Sequence, residues 1–317
     1  MERGVNTLSI DGRLISSAHP AYIICEIGVN HDGDLLKAHK LIQAAAECGA
    51  NAAKFQCFDP TALVAAGHSQ RDMLTPLAFT EHDFRHLQAW CRENKITFLC
   101  SPFDDDSVDL LARIGVPAWK IPSGETVNYR LLARIAAYGQ PMIVSTGMCN
   151  LAEVERAVEV IEKAGKRQYV LLHCTSSYPA PPESINLHAM KTLRQAFGCL
   201  VGFSDHSLGI NVPIAAVAMG AKVVEKHMTL DKSAPGPDHR ASLEPGEFYQ
   251  MVLGIREVEK AMGDGIKRPS PAEQKTKDVA RKSLVARQAI HAGQVITREM
   301  VDIKRPGTGL SPEVLYG

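Results

Sequence analysis

The segments Leu200-Val-Gly-Phe-Ser-Asp-His206 and Val223-Val-Glu-Lys-His227 each consist of a short apolar run that ends in a histidine. A segment of helix length, residues 210–219, separates them. This arrangement is typical of two parallel strands joined by a crossover helix. Neighbouring parallel strands end at the same edge of a sheet, so we expect the two imidazoles to converge on one point.

The same pattern of a short apolar run followed by an amphipathic stretch recurs along most of the chain. Strands are predicted at 22–26, 52–56, 97–101, 118–121, 142–145, 169–173, 200–204 and 223–227. Helices are predicted at 35–48, 81–94, 105–114, 129–138, 151–164, 187–197, 210–219 and 245–262. Glycines stand where helix C-caps are expected, at Gly49, Gly115, Gly139, Gly165, Gly198 and Gly220.

Eight strand–helix repeats over about 250 residues predict an α/β fold of the TIM (β/α)8 barrel type. A doubly wound open sheet is the alternative, but the first strand–helix turn has no G-x-G-x-x-G sequence. We expect a barrel at 1–265, a linker at 266–282 and a small β-rich unit at 283–317. Within that unit, residues 283–286, 293–296 and 300–304 have β-type patterns.

Composition excludes several classes of protein. The 317 residues include 35 basic and 35 acidic side chains, so the formal net charge is zero and a nucleic-acid partner is not indicated. The N-terminus has no signal-peptide pattern, and no apolar run reaches the roughly 20 residues that span a bilayer. The eight cysteines form no C-x-x-C pair and suit a reducing compartment. We therefore expect a cytoplasmic protein without a membrane partner.

Polar residues at the predicted strand ends indicate an anion site, because a barrel's active site lies at the C-terminal ends of its strands. Lys54 and Lys120 lie within apolar strands, where an ammonium needs an anionic ligand or a carboxylate. Hydroxyl groups and glycines follow at Ser123-Gly124 and Ser145-Thr146-Gly147. Together these groups predict a phosphate site, although isolated serines at strand ends are usually turn or cap residues.

His206 and His227 are candidate metal ligands, with two structural core histidines as the alternative. Two imidazoles leave coordination positions open, as a Lewis acid that binds a substrate oxygen requires. His31 and His239 are further candidates. Glu26 and Glu125 are expected either to pair with the lysines or to act as acid and base.

Long motifs in a fixed order resemble the bacterial sialic acid synthase family, which includes N-acetylneuraminate and legionaminate synthases. They are EIGVNHDGD (26–34), KFQ (54–56), KIPSGE (120–125), STGM (145–148), HCTSSYP (173–179), SDHS (204–207), EKHMTLD (225–231) and GPDHRASLEP (236–245). The resemblance covers nearly the whole chain. The segments VARQAI (285–290) and KRPGTGL (304–310) are similar to the first half of the family's antifreeze-like (SAF) β-clip domain.

The resemblance implies a transferase that condenses phosphoenolpyruvate with the open-chain form of N-acetylmannosamine, giving N-acetylneuraminate and phosphate by C–O cleavage. His206 and His227 would bind a divalent ion, Mn²⁺ by preference and Mg²⁺ or Co²⁺ as alternatives. The family also implies a domain-swapped homodimer. The other implied roles are phosphoenolpyruvate binding by Lys54, Lys120, Ser101, Ser123, Ser145 and Ser204, sugar binding by Gln56, Tyr178, Asp238 and Arg305 of the neighbouring subunit, and catalysis by Glu26, Glu125 and Asp238.

Two departures from the family pattern stand out. The sequence ends at Gly317, before the family's SAF domain normally ends, so a truncated SAF domain is expected. Position 176 is Ser where these synthases often have Asn. Alternative functions are an N,N'-diacetyllegionaminate synthase using 2,4-diacetamido-2,4,6-trideoxymannose, a pyruvate-using aldolase, a deoxy-sugar-phosphate synthase and a non-catalytic carbohydrate-binding relative.

Overall fold

A computed structural model describes residues 7–165 and 168–316 of the chain. It contains two compact units that divide between Met262 and Gly263. The larger unit carries the strand–helix repeats and the smaller unit is the C-terminal β-rich segment. No helix of the described residues is both long and apolar enough to cross a membrane.

The larger unit is built around eight parallel strands that form a nearly closed barrel. The strands are β3 (Tyr22–Gly28), β4 (Ala52–Cys57), β5 (Thr97–Pro102), β6 (Trp119–Ile121), β7 (Met142–Ser145), β8 (Tyr169–Cys174), β9 (Leu200–Asp205) and β10 (Val223–His227). The hydrogen-bonded order is β5-β4-β3-β10-β9-β8-β7-β6, and the end strands β5 and β6 lie in contact. The TIM-type barrel is confirmed, and predicted strand ends move by at most two residues.

Helices follow the strands and pack their apolar faces on the outside of the barrel. They are α1 (Leu35–Glu47), α4 (Glu81–Glu93), α5 (Asp105–Ile114), α6 (Tyr129–Ala137), α7 (Leu151–Lys163), α8 (Ala189–Phe197), α9 (Asn211–Ala218) and α10 (Pro245–Ala261). Gly115 and Gly198 end α5 and α8 in the left-handed conformation, as predicted. Two short helices not predicted from the sequence, α2 (Pro60–Leu63) and α3 (Ser69–Leu74), interrupt the connection between β4 and α4.

Alternation along each strand separates two apolar layers. On β3, Tyr22 and Ile24 belong to the layer inside the barrel, whereas Ile23 and Cys25 belong to the layer under the helices. An antiparallel hairpin that was not predicted, β1 (Thr7–Ile10) with β2 (Arg13–Ser16), adds buried Leu8, Ile10 and Ile15 to the inner layer. The inner apolar residues thus occupy the N-terminal half of the barrel and leave the C-terminal half for polar groups.

The C-terminal unit contains an antiparallel pair, β11 (Ser283–Ala286) with β12 (Val301–Lys304). Helix α11 (Gln274–Ala280) lies within the segment predicted as a linker, so that segment is partly helical. The strand predicted at 293–296 is wrong. Its residues follow a turn without joining the hairpin, and Val295 is 82% exposed, so neither a ladder nor a buried face supports a strand there.

Candidate active site

A cavity of about 620 Å³ opens at the C-terminal ends of the barrel strands. Its lining brings together nearly all the residues predicted from the sequence. These are Glu26, Lys54, Gln56, Ser101, Lys120, Ser123, Ser145, Tyr178, Ser204, His206, His227 and Asp238. One cavity therefore contains both predicted lysines and both predicted metal-ligand histidines.

Strand alternation explains why these side chains share the cavity. On β10, Val223 belongs to the inner apolar layer, and Glu225 and His227 follow it at steps of two residues. On β4, Ala52 is followed in the same way by Lys54 and Gln56. Since side chains of a strand alternate between its two faces, each strand carries an apolar residue deep in the barrel and polar residues near the rim.

Two lysines and two glutamates form a buried cluster at the base of the cavity. Lys54 Nζ lies 2.6 Å from Glu26 Oε2 and 3.7 Å from Glu225 Oε2, and Lys120 Nζ lies 3.4 Å from Glu225 Oε1. All four residues are at most 5% exposed. The sequence required a carboxylate or an anionic ligand near the lysines, and the structure supplies two carboxylates.

The two carboxylates of this cluster have opposite pKa shifts. Burial raises the pKa of Glu26 to about 7, although the Lys54 ammonium opposes the shift. Burial also acts on Glu225, but Lys120 and Lys54 outweigh it and lower the pKa of Glu225 to about 2. Glu225 is therefore the permanent anion between the lysines, whereas Glu26 can exchange a proton near neutral pH, as a general acid or base must.

Hydroxyl groups surround the lysines. Lys54 Nζ donates to Ser101 Oγ over 3.1 Å, and Lys120 Nζ donates to Ser145 Oγ over 2.8 Å. Ser204 Oγ donates to Glu225 Oε1 over 2.8 Å. These contacts place three of the four predicted serines directly on the charged cluster.

Gly147 allows two more hydroxyl groups to approach the backbone beside this cluster. Its amide donates to Ser123 Oγ over 3.1 Å. A Cβ atom at Gly147 would lie 2.4 Å from Ser176 Oγ and 2.7 Å from Ser123 Oγ, which is too close for a side chain. The Ser176 oxygen is buried and has no hydrogen-bond partner within the described chain. This arrangement of donors beside two ammonium groups fits the oxygens of a phosphate or carboxylate.

The two imidazoles lie side by side across β9 and β10. The ring centroids of His206 and His227 are 5.4 Å apart, and the Tyr178 ring lies 4.1 Å from that of His206. His206 Nδ1 lies 2.8 Å from the carbonyl oxygen of Thr175 and 3.8 Å from Cys174 Sγ. Burial opposes protonation of His206, but the Cys174 and Thr175 contacts raise its pKa above the ordinary value.

These imidazoles fit a divalent metal ion. The carbonyl contact at His206 Nδ1 fixes the tautomer that leaves Nε2 as the electron-pair donor, a common arrangement in metal sites. His227 Nδ1 is buried without a hydrogen-bond partner, and burial keeps the pKa of His227 well below its usual value, hence in the neutral form that a metal needs. Among residues 7–165 and 168–316, no three His, Cys, Asp or Glu side chains are arranged so that together they could hold a metal ion, so an ion here would need ligands from water or substrate.

Three of the four predicted sugar-binding residues, Gln56, Tyr178 and Asp238, line the same cavity as the histidines. Gln56 Nε2 donates to Glu26 Oε1 over 3.2 Å, and Asp238 Oδ2 lies 3.8 Å from His227 Nδ1. Burial raises the pKa of Asp238. Tyr178, at 48% exposure, borders the opening of the cavity. The cavity therefore has charged groups at its base and hydrogen-bonding groups near its opening.

Several predicted residues lie elsewhere. Glu125 is in a 3-10 turn, accepts a hydrogen bond from Asn128 over 2.7 Å and does not line the cavity, so the structure does not support its predicted role as acid or base. His31 stacks on Phe79, and His239 Nε2 lies 2.9 Å from Asp32 Oδ1; neither lines the cavity with the histidine pair. Arg305 follows β12 in the C-terminal unit.

Sequence reasoning missed Glu225, Cys174 and Ser176, all of which line the cavity. For Glu225 the signal was available, because it stands two residues before His227 on the same strand face. Ser176 was noted only as a departure from the family pattern. The contact between Cys174 Sγ and His206 has no signal in the sequence.

Comparison with known proteins identifies the family. The family model described as "NeuB family" matches residues 41–267. The chain belongs to the NeuB family. It is 46% identical over 305 residues to N,N'-diacetyllegionaminic acid synthase of Campylobacter jejuni, covering 91% of each chain. It is 42% identical over 314 residues to the Legionella pneumophila enzyme of the same name, covering 93% of this chain and 88% of that enzyme.

A solved structure supports the same assignment for this NeuB-family chain. The N-acetylneuraminic acid synthetase of Leptospira borgpetersenii, crystallised with citrate, superposes with a TM-score of 0.82 at 34% identity. The match covers 87% of this chain and 96% of that one. The barrel and its rim cavity thus belong to a family of sialic acid and legionaminic acid synthases.

Proposed function

We propose that the protein condenses phosphoenolpyruvate with the open-chain aldehyde of an N-acylated mannosamine-type sugar and releases phosphate. The observation that carries this proposal is the presence of Lys54, Lys120, His206 and His227 in one cavity of a NeuB-family barrel. A cavity of about 620 Å³ is within the range of small-molecule sites. The lysines support a phosphorylated co-substrate over pyruvate.

In this proposal, Lys54 and Lys120 bind the anionic groups of phosphoenolpyruvate with help from Ser101, Ser123, Ser145 and Ser204. Phosphoenolpyruvate would compete with Glu26 and Glu225 for the two ammonium groups. Holding both substrates in reactive geometry lowers the activation barrier by roughly 7–11 kcal/mol in favourable systems.

His206 and His227 would hold a divalent ion, Mn²⁺ by preference with Mg²⁺ or Co²⁺ as alternatives. When bound, the ion supplies Lewis-acid polarisation of the acceptor carbonyl. Gln56, Tyr178 and Asp238 orient the sugar beside it. The C3 atom of phosphoenolpyruvate attacks the aldehyde carbon, and Asp238, whose pKa is raised by burial, donates the proton of the new hydroxyl.

Water then adds at C2, and phosphate leaves with cleavage of the C2–O bond. Glu26 accepts the proton of this water, since its pKa of about 7 suits a base at neutral pH. Glu225 stays ionised beside both lysines and offsets positive charge that develops at C2.

The lining of the cavity favours a deoxy, doubly N-acylated acceptor. Its wall includes the apolar side chains of Leu63, Val64, Met73, Leu74 and Phe103, which suit methyl and acetamido groups. Among the described lining residues, the only lysines or arginines are Lys54 and Lys120 at the base, which the proposal assigns to phosphoenolpyruvate. No further lysine or arginine of this lining is left to bind the phosphate group of a phosphorylated acceptor. These observations, with the two legionaminic acid synthases among the relatives, support 2,4-diacetamido-2,4,6-trideoxymannose ahead of N-acetylmannosamine.

An acceptor panel tests this function. Phosphate release from phosphoenolpyruvate is measured with N-acetylmannosamine, its 6-phosphate and the diacetamido sugar, with and without Mn²⁺. We expect metal-dependent release with the unphosphorylated sugars, fastest with the diacetamido sugar, and a product mass equal to acceptor plus pyruvate. Sugar binding without phosphate release under any metal would support the non-catalytic carbohydrate-binding alternative.

We also propose a homodimer in which Arg305 of one chain contacts the sugar acyl group in the cavity of its partner. This rests on the family resemblance of residues 304–310 and is tested by complementation. Arg305→Ala and Glu26→Gln chains, each nearly inactive alone, should regain up to a quarter of the activity per chain when they are mixed after unfolding and refolded together (about 25% for random pairing). If the mixed chains form dimers but stay inactive, Arg305 acts in the cavity of its own chain or in neither cavity.

A further inference from the structure

A second buried ion pair lies on the outer side of the same two strands that carry the histidines. Lys226 on β10 and Asp205 at the end of β9 are directly opposite each other in the ladder. Both side chains are 0% exposed, and their Nζ and Oδ2 atoms are 2.6 Å apart. Each residue is adjacent in sequence to one histidine of the pair but points away from the cavity, so neither has a role in the chemistry described above.

The contacts of Lys226 fasten the turn that carries His206. Its ammonium donates to Asp205 and also to the carbonyl oxygen of Ser207, the residues on either side of His206. The same turn is closed by the Ser207 amide, which donates to Asp205 Oδ1 over 2.9 Å. Because His227 is the next residue after Lys226, one ammonium links the backbone positions of both imidazoles.

Stability alone does not account for this pair. Removing two charges from water costs several kcal/mol, and an apolar pair of similar size is often as stable or more stable. The Lys226 ammonium donates to both neighbours of His206 and therefore fixes the distance between β10 and the turn. Apolar packing has no directional contact of this kind and would fix that distance less closely. Metal ligands are sensitive to such spacing, since outer contacts of metal-binding groups commonly change affinity by 10–100-fold.

We propose that Lys226 and Asp205 are positioning residues that hold His206 and His227 at the spacing needed to bind a divalent metal ion. The inference rests on the metal-dependent function proposed above. Other contacts also hold His206, through its ring to the Thr175 carbonyl and through its own carbonyl to the Ala180 amide. The expected loss is therefore about tenfold in metal affinity, with the site retained.

The test is a double variant, Asp205→Asn with Lys226→Met, which removes both charges and leaves no unpaired buried ion. Mn²⁺ binding to the substrate-free protein is measured from the electron paramagnetic resonance signal of the free ion, together with the unfolding temperature. The matched control is Lys222→Met, the same substitution four residues earlier on the approach to β10, where Nζ donates to the His19 carbonyl. If the double variant does not fold, Asp205→Asn with Lys226→Gln keeps a neutral hydrogen-bonding pair without an unpaired buried ion and replaces it.

The double variant should keep an unfolding temperature close to that of the unmodified protein and bind Mn²⁺ about tenfold more weakly. Its KM for phosphoenolpyruvate at saturating Mn²⁺ should change less than twofold, because Lys54 and Lys120 lie on the inner face. Asp205→Asn with Lys226→Gln should have an Mn²⁺ affinity between those of the first double variant and the unmodified protein, and Lys222→Met should equal the unmodified protein. A folded variant that binds Mn²⁺ as the unmodified protein does would overturn the positioning role, whereas no Mn²⁺ binding by the unmodified protein would overturn the metal proposal itself.

Discussion

Replacing Glu26 with glutamine tests the charged cluster at the base of the cavity without changing its shape. Glu26 is fully buried, and burial raises its pKa from 4.5 to about 7 despite the ammonium of Lys54 at 2.6 Å. The folded protein therefore favours the protonated carboxyl group. Glutamine imitates that neutral form at every pH.

The size and sign of the effect follow from the pKa shift. Because the pKa of Glu26 is raised in the folded state, the protonated carboxyl group stabilises the fold fully below pH 4.5. This stabilisation is lost as the pH rises through about 7. A shift from 4.5 to about 7 corresponds to roughly 3 kcal/mol. The free energy of unfolding of Glu26→Gln, relative to that of the unmodified protein, should thus rise by roughly 3 kcal/mol between pH 4.5 and pH 8. For a chain of this size, that change corresponds to a difference on the order of 6 °C in unfolding temperature.

The assay is thermal unfolding of both proteins across this pH range, without substrates. Glu225→Gln is the control of opposite sign, because its lowered pKa of about 2 stabilises the fold above pH 4.5 and this contribution is lost as the pH falls toward 2. At pH 7, Glu225→Gln should therefore be less stable than the unmodified protein. In turnover, Glu26→Gln should lose 10²–10⁴-fold in kcat, as is typical of a missing general base. A stability difference that does not change with pH would refute the assigned protonation of Glu26.

Three further predictions concern the phosphate site and the barrel base. Lys120→Met should raise KM for phosphoenolpyruvate roughly 10- to 150-fold, since a hydrogen bond to a charged group contributes about 1.5–3 kcal/mol. Lys222→Met should leave this KM unchanged, and steady-state kinetics of both variants test the difference. Gly147→Ala should weaken phosphoenolpyruvate binding about tenfold by displacing Ser123 and Ser176. Gly246→Ala, in α10 and outside the cavity lining, should not, because a Cβ there meets nothing within 4 Å; equal titration curves for the two variants would contradict this reasoning. Leu8→Ala removes buried side-chain atoms of the hairpin and should lower the free energy of unfolding by about 2–5 kcal/mol without changing KM. An unfolding temperature equal to that of the unmodified protein would show that the hairpin does not stabilise the barrel.

Most of the barrel could be predicted because each strand and helix has its own periodic signal. The polar residues of the rim were found by the same logic, since strand ends place them on one edge. The hairpin at residues 7–16 was missed because each of its strands is only four residues long. Its burial depends on the barrel interior, which a local pattern does not reveal.

Two carboxylates show where the sequence signal ends. Glu26 lies within β3 and lines the cavity, whereas Glu125 lies in the 3-10 turn after β6 and accepts a hydrogen bond from Asn128. Glu225 could have been found from its two-residue spacing to His227. The pairing of Glu26 with a lysine was an expectation from the sequence, and Glu26 does pair with Lys54. The pairing of Glu225 with both lysines depends on the arrangement of β4, β6 and β10 around the barrel, which no local pattern reveals.

The most direct measurement is turnover of phosphoenolpyruvate labelled with ¹⁸O at the bridging C2–O position, with the diacetamido sugar and Mn²⁺. Condensation with C–O cleavage predicts that the label leaves in inorganic phosphate and that the sugar product contains oxygen from water at C2. Label retained in the sugar product, or no phosphate released with any acceptor of the panel, would contradict the account.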